Sequence, residues 1–112
     1  DPVISASMMT KSVTTAIGVE VAQELGGLGS LAGAVIVMTG IVGNLSAAAL
    51  CRICRLRDPV ARGVAIGTGS HAVGTAKALQ MGPVEGAVSS VSIAVAGVLT
   101  AVICPLLANF LP

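Results

Sequence analysis

The sequence predicts an all-α membrane protein, because it is rich in apolar residues, poor in charge and contains two long uncharged segments. Hydrophobic residues make up 54% of the 112 residues and charged residues only 10%, whereas a soluble domain averages about 25% charged residues. The uncharged segments are residues 25–51 and 86–112. Each is longer than the roughly 20 apolar residues that a spanning helix needs. We therefore predict a polytopic helical membrane protein with transmembrane helices over about 28–50 and 86–110.

Each of these helices belongs to one of two similar units, because short motifs recur at an offset of 56 or 57 residues. DPV occurs at 1–3 and 58–60, and GIV at 40–42 matches GVL at 97–99. The offset predicts tandem repeats over 1–57 and 58–112 in one membrane domain, each a broken helix followed by a long transmembrane helix. Because the sequence begins without methionine, we expect it to be a fragment of a longer chain.

Polar residues interrupt the first helix of each unit. The interruptions are TKSVTT at 10–15 and GTGSH at 67–71. Ser and Thr are common helix N-caps, and Gly67 and Gly69 allow the backbone to leave helical geometry. We predict new helices starting near 12–14 and 70–75. Irregular backbone at membrane depth is tolerated where it is buried in protein or lines a wet cavity, and transporters bind ligands at such breaks.

The breaks therefore supply the candidate substrate-binding residues. Their hydroxyl, imidazole and ammonium groups suit an anion at a helix N-terminus. The candidates are Lys11, Ser12, Thr14, Thr15, Thr68, Ser70, His71, Thr75 and Lys77.

Each candidate also has a structural alternative. His71 could hold a carboxylate or carry a proton, because imidazole titrates near neutral pH, or it could simply hydrogen-bond to a backbone carbonyl. Lys11 could support an anion or lie near an interface, and Lys77 could do the same or reach lipid headgroups. The hydroxyls could serve only as helix caps. Asn44 is expected to hydrogen-bond between helices.

Other residue types exclude several functions. A net charge of +1 and a single aromatic residue, Phe110, argue against a nucleic-acid partner. The CxxC pair of Cys51 and Cys54 lies next to arginines that could favour redox chemistry, but it has no second ligand pair for zinc. We expect its cysteines to be packing residues at a helix end. We find no nucleophile constellation, so we expect no enzyme, no cofactor and no metal site.

The basic residues predict orientation. The segment that joins the units contains Arg52, Arg55, Arg57 and Arg62 and should be cytoplasmic, with contact to anionic lipid as a secondary role. The glycine turns near 24–30 and 80–86 contain no Lys or Arg and are expected to face outward. Broken helices that cross the membrane would make the repeats parallel, and re-entrant hairpins would make them inverted. The charge pattern favours parallel repeats.

Two long motifs resemble a known family. KSVTTAIGVEVAQELGG at 11–27 and ARGVAIGTGSHAVGTAKALQMGPVEGA at 61–87 resemble the bacterial LrgB/CidB family, over essentially the whole chain. The match would correspond to the C-terminal half of such a protein, and the plastidial glycolate/glycerate translocator of plants has a similar domain. Ala16 departs from the pattern, which would place a proline there.

The resemblance implies a multi-pass protein of the cell inner membrane and two alternative functions. The first hypothesis is a carrier of small organic anions such as glycolate, glycerate or pyruvate. The alternative is a holin/antiholin-like component that modulates murein hydrolase activity and autolysis with an LrgA/CidA-type partner in the lipid bilayer. A homo-oligomer is possible under both hypotheses. A soluble interaction module is the third hypothesis.

Overall fold

The computed structural model describes residues 1–110 and contains five α-helices and no strands in that range. The all-α prediction is confirmed. The molecule is 41 Å long, which is close to the roughly 39 Å expected for its longest helix, of 26 residues. The helices are α1 (Pro2–Met9), α2 (Thr15–Glu24), α3 (Gly29–Ile53), α4 (Pro59–Met81) and α5 (Pro83–Ala108).

Helices α1 and α2 form a hairpin around the first polar interruption. Helix α1 ends at Met9, and α2 begins at Thr15. Near the turn, the Thr10 hydroxyl donates to the carbonyl of Gly18 over 2.8 Å. Farther from the turn, the Ser7 hydroxyl accepts from the amide of Leu28 over 2.7 Å. These two contacts fold α1 back along α2 and position the start of α3.

Helix α4 is also a hairpin, made of two helical segments that meet at His71. Asp58 caps its start by accepting from the amides of Val60 and Ala61. Inside it, His71 has φ 43° and ψ −141°, which divides it into α4a (59–70) and α4b (72–81). The chain reverses there, because Arg62 of α4a and Met81 at the end of α4b line one cavity.

The start of α5 lies at this same end of the molecule. Nη1 of Arg62 lies 3.6 Å from Oε1 of Glu85, in the first turn of α5. Both ends of α4 therefore lie beside the segment that connects α3 to α4. The second glycine turn, near 80–86, lies there as well, whereas its lack of basic residues predicted that it would lie at the end opposite the arginines.

The two hairpins open toward opposite ends of α5. Ala108, the last residue of α5, lines a cavity together with Asp1 and Leu25 at the open end of the first hairpin. Parallel units were the favoured arrangement in the sequence analysis. The structure has opposed hairpins instead, because the reversal at His71 returns the chain to the end where it entered. The duplication itself remains a prediction.

Small residues allow the helices of this fold to approach closely. A Cβ placed at Gly43 would overlap the Ser70 side chain, and one at Gly67 would lie 2.5 Å from the carbonyl oxygen of Ser89. Gly67 was expected to lie in the helix break. That assignment is wrong: Gly67 is helical and lets α4a contact α5, and the break lies at His71.

The long helices α3 and α5 have apolar outer surfaces. Both are long and apolar enough to cross a membrane. In the most apolar 18-residue stretch of each helix, only 22% is buried in α3 and 6% in α5. A core helix of a soluble protein would be mostly buried. Leu45 of α3 and Val91 of α5 are examples of side chains that face outward. These surfaces suit lipid and argue against a soluble module.

Candidate functional site

The two hairpins meet at one residue of α3. Ile36 is fully buried, and its Cδ1 lies where a Cβ of Gly18 would be, beside the first break. Its carbonyl oxygen lies 2.8 Å from Nε2 of His71, at the second break. Ile36 therefore contacts both hairpins at once, and the two breaks lie near it on one face of α3, where Gly40 meets His71 and Gly43 meets Ser70.

His71 is buried at the tip of the second hairpin. Because a carbonyl can only accept, Nε2 carries the proton of this hydrogen bond, and Nδ1 is left as an acceptor in the neutral ring. A Cβ at Gly40 would lie 2.6 Å from Cε1 of His71, so Gly40 leaves room for the ring. This contact matches the structural role considered for His71, in which its ring hydrogen-bonds to a backbone carbonyl.

The backbone of His71 adopts a conformation that non-glycine residues rarely adopt. A positive φ of 43° with ψ −141° costs on the order of 1–3 kcal/mol and persists only where its surroundings hold it. The Thr75 hydroxyl donates to the His71 carbonyl over 3.0 Å, and the ring is held by Ile36. Strained residues of this kind cluster at functional sites, which keeps His71 a candidate.

A groove of about 670 Å³ runs along α3 between the two breaks. Lys11 from the first break and Ser70 from the second both line it. The hydroxyls of Thr39 and Ser46, also on its wall, donate to carbonyls of their own helix. The polar groups that the groove offers to a ligand are therefore chiefly the Lys11 ammonium and the Ser70 hydroxyl. Its lining consists of Lys11, Ala34, Val35, Met38, Thr39, Val42, Gly43, Ser46, Leu50, Ala65, Gly69 and Ser70.

The remaining candidates of the first break lie around α2. Lys11 is exposed and donates to the Ser12 hydroxyl over 3.1 Å, and within residues 1–110 it has no carboxylate at ion-pair distance. Thr14 occupies the N-cap position of α2, but its side chain makes no capping hydrogen bond. Thr15 is the first residue of α2 and is exposed.

The remaining candidates of the second break do not line the groove. The exposed Thr68 donates to the carbonyl of Val64 one turn earlier. Thr75 is buried and shares a 2.6 Å hydrogen bond with the Ser89 hydroxyl of α5. Lys77 is half-buried on α4b. Asn44 of α3 donates to the carbonyl of Val73 over 2.6 Å, which is the interhelical bond expected of it.

Sequence reasoning missed the pair of Arg62 and Glu85. Glu85 is buried, and Arg62 also donates from Nε to the carbonyl of Leu56 over 2.8 Å. A buried carboxylate beside a long apolar segment needs a cationic partner. This requirement could have indicated from the sequence that Glu85 pairs with an arginine. Because both residues lie at helix starts, only the reversal of α4 brings them together.

The all-helical fold and the outward apolar faces of α3 and α5 indicate the class of membrane-associated helical proteins. The LrgB-like family model matches residues 1–110, so the chain belongs to the LrgB-like family. This confirms the resemblance on which the sequence analysis relied.

Three relatives show how much of such a protein is present. The holin-like protein CidB of Staphylococcus aureus is 36% identical over 104 residues, which cover 93% of this chain and 45% of the relative. CidB of Staphylococcus epidermidis is 38% identical over 101 residues, covering 90% and 44%. The antiholin-like protein LrgB of Bacillus mycoides is 31% identical over 111 residues, covering 99% and 48%. The chain thus spans less than half the length of these relatives, and no solved structure gave a significant match.

Proposed function

We propose that the chain is a membrane-embedded part of a holin-like or antiholin-like component of the bacterial inner membrane. The names of its relatives support this alternative of the sequence analysis better than they support the carrier. The structural observation that supports this proposal is the outward apolar surface of α5. Only 6% of its most apolar 18-residue stretch is buried. In this proposal α3 and α5 cross the bilayer, and the hairpins enter it from opposite sides.

In this role the protein modulates murein hydrolase activity and autolysis together with an LrgA/CidA-type partner. The test is the full-length protein in cells that lack both native proteins, expressed with and without the partner. We expect the lysis rate and the murein hydrolase activity to change only when the partner is present, and Lys11→Gln to leave that change intact. Equal lysis in all strains would overturn the proposal.

A second function, a carrier for small organic anions, is favoured by one observation. Lys11 and Ser70 come from separate breaks, yet they line the same groove. Lys11 has no carboxylate at ion-pair distance in the part of the chain that the structure describes. An ammonium near membrane depth without a counter-ion is costly unless it meets water or an anion. A monocarboxylate such as glycolate, glycerate or pyruvate would supply that charge.

Uptake of labelled glycolate and pyruvate into liposomes tests this function with the full-length protein. A carrier should give saturable uptake, which Lys11→Gln lowers at least tenfold and Lys77→Gln, outside the groove, leaves nearly unchanged. Leakage that does not saturate, or equal uptake by the Lys11→Gln variant and the parent, would exclude the carrier.

A further inference from the structure

A small cavity lies at the end of the molecule where α3 ends and α4 begins. Its volume is about 210 Å³, and it is lined by Ala48, Cys51, Arg52, Arg62 and Met81. We call it the arginine cavity. Arg52 belongs to the last turn of α3 and Arg62 to the first turns of α4a. Two arginines from different helices thus border one space.

The charges around the arginine cavity are incompletely neutralised. Arg62 lies 3.6 Å from Glu85, which is longer than a direct N–H···O hydrogen bond of about 2.7–3.2 Å. The carboxylate of Asp58 is occupied with the amides at the start of α4. Within residues 1–110, Arg52 has no acidic side chain at ion-pair distance. An anion that enters the cavity would therefore meet a guanidinium that is not already paired.

With α3 crossing the bilayer, as proposed above, the arginine cavity lies at the headgroup level. Arg52 is next to Ile53, the last residue of this long apolar helix. The hydrocarbon core of a bilayer is about 30 Å thick, and the phosphate groups lie just outside it. Ala48 and Met81 line the cavity beside the arginines, so an acyl chain can contact them while its headgroup lies between Arg52 and Arg62.

We propose that the arginine cavity binds the phosphate of an anionic phospholipid headgroup between Arg52 and Arg62. Guanidinium groups bind phosphate oxygens through paired hydrogen bonds, and basic pockets between membrane helices bind anionic headgroups. The apolar lining by Ala48 and Met81 favours a lipid over a free phosphate ion, which would use only the arginines. The site is independent of the groove at the hairpin tips.

The test measures phospholipid binding by the full-length protein in detergent, using native mass spectrometry. Phosphatidylglycerol is compared with phosphatidylcholine for the parent, for Arg52→Gln and for Arg57→Gln. Arg57 is an exposed arginine in the loop between α3 and α4 and does not line the cavity, so its variant controls for general attraction of anions. We expect Arg52→Gln to weaken phosphatidylglycerol binding about tenfold or more and Arg57→Gln to change it less than twofold.

A second variant and a competitor complete the test. Arg52→Lys retains the charge but lacks the planar pair of donors, so it should weaken binding less than Arg52→Gln, and it provides the test if Arg52→Gln fails to fold. Inorganic phosphate should not displace the lipid. Displacement by inorganic phosphate would assign the site to the free ion, and equal losses in the Arg52→Gln and Arg57→Gln variants would reduce it to diffuse attraction. Either result would overturn the proposal, as would equal binding of both lipids.

Discussion

The ring of His71 and the backbone of Ile36 are joined by a 2.8 Å hydrogen bond, although 35 positions separate them in the chain. The side chain of the same Ile36 fills the space above Gly18. One residue of α3 thus fixes the tip of the second hairpin and supports the first. This contact determines where the two breaks lie relative to each other, and therefore the shape of the groove between them.

The backbone at position 71 predicts an unusual order of stability. His71→Ala removes the hydrogen bond to the Ile36 carbonyl and the packing of the ring on Gly40, so we expect a loss of about 1–3 kcal/mol. His71→Gly removes the same bond but tolerates the positive φ, so it should be about 1 kcal/mol more stable than the alanine variant. Thermal unfolding of both variants in detergent measures the order. A more stable alanine variant, the normal result within a helix, would contradict the observed backbone.

Two glycines of neighbouring helices should respond differently to alanine. A Cβ at Gly40 would lie 2.6 Å from the His71 ring, whereas a Cβ at Gly69 would have nothing within 4 Å. Gly40→Ala should destabilise the protein by about 1–3 kcal/mol, because the ring must move. Gly69→Ala should be neutral or stabilising by up to about 1 kcal/mol. Unfolding temperatures of the two variants check this, and equal shifts would contradict the packing of His71 on Gly40.

The pair of Arg62 and Glu85 ties the second hairpin to α5. Glu85→Gln removes the only carboxylate within ion-pair distance of Arg62 among residues 1–110. We expect a loss of about 1–3 kcal/mol, less than for a fully buried pair because Arg62 is partly exposed. Glu24→Gln, at an exposed position, is the control and should change stability by less than about 0.5 kcal/mol. A neutral Glu85→Gln variant would mean that the pair does not hold the hairpin.

The long helices and the polar interruptions could be predicted from the sequence, and the reversal of α4 could not. Uncharged length alone predicts α3 and α5, because the bilayer sets that length. The reversal depends on the φ angle of one non-glycine residue, His71, whereas Gly67 offered a more conventional break. Gly67 is used for contact with Ser89 of another helix, and a single sequence does not indicate which use a glycine serves.

The candidate site was predictable only in part for the same reason. Lys11 and Ser70 are chemically suitable and line one groove. Thr75 looks equally suitable in the sequence, but its hydroxyl bonds to Ser89 and to the His71 carbonyl. Which hydroxyls face the groove depends on the rotation of α4b after the reversal. Arg62 and Glu85 were missed because they are close only when α4 folds back.

Side-specific labelling of single cysteines in the full-length protein tests the opposed hairpins most directly. The native cysteines are replaced, and Ser30→Cys, Arg57→Cys and Gln80→Cys, all at exposed positions, are each treated with a membrane-impermeant thiol reagent from one side of the membrane. The opposed hairpins predict that position 80 is labelled from the same side as position 57, and position 30 from the other side. Labelling of position 80 together with position 30, opposite to position 57, would show that α4 crosses the membrane and would contradict the structure.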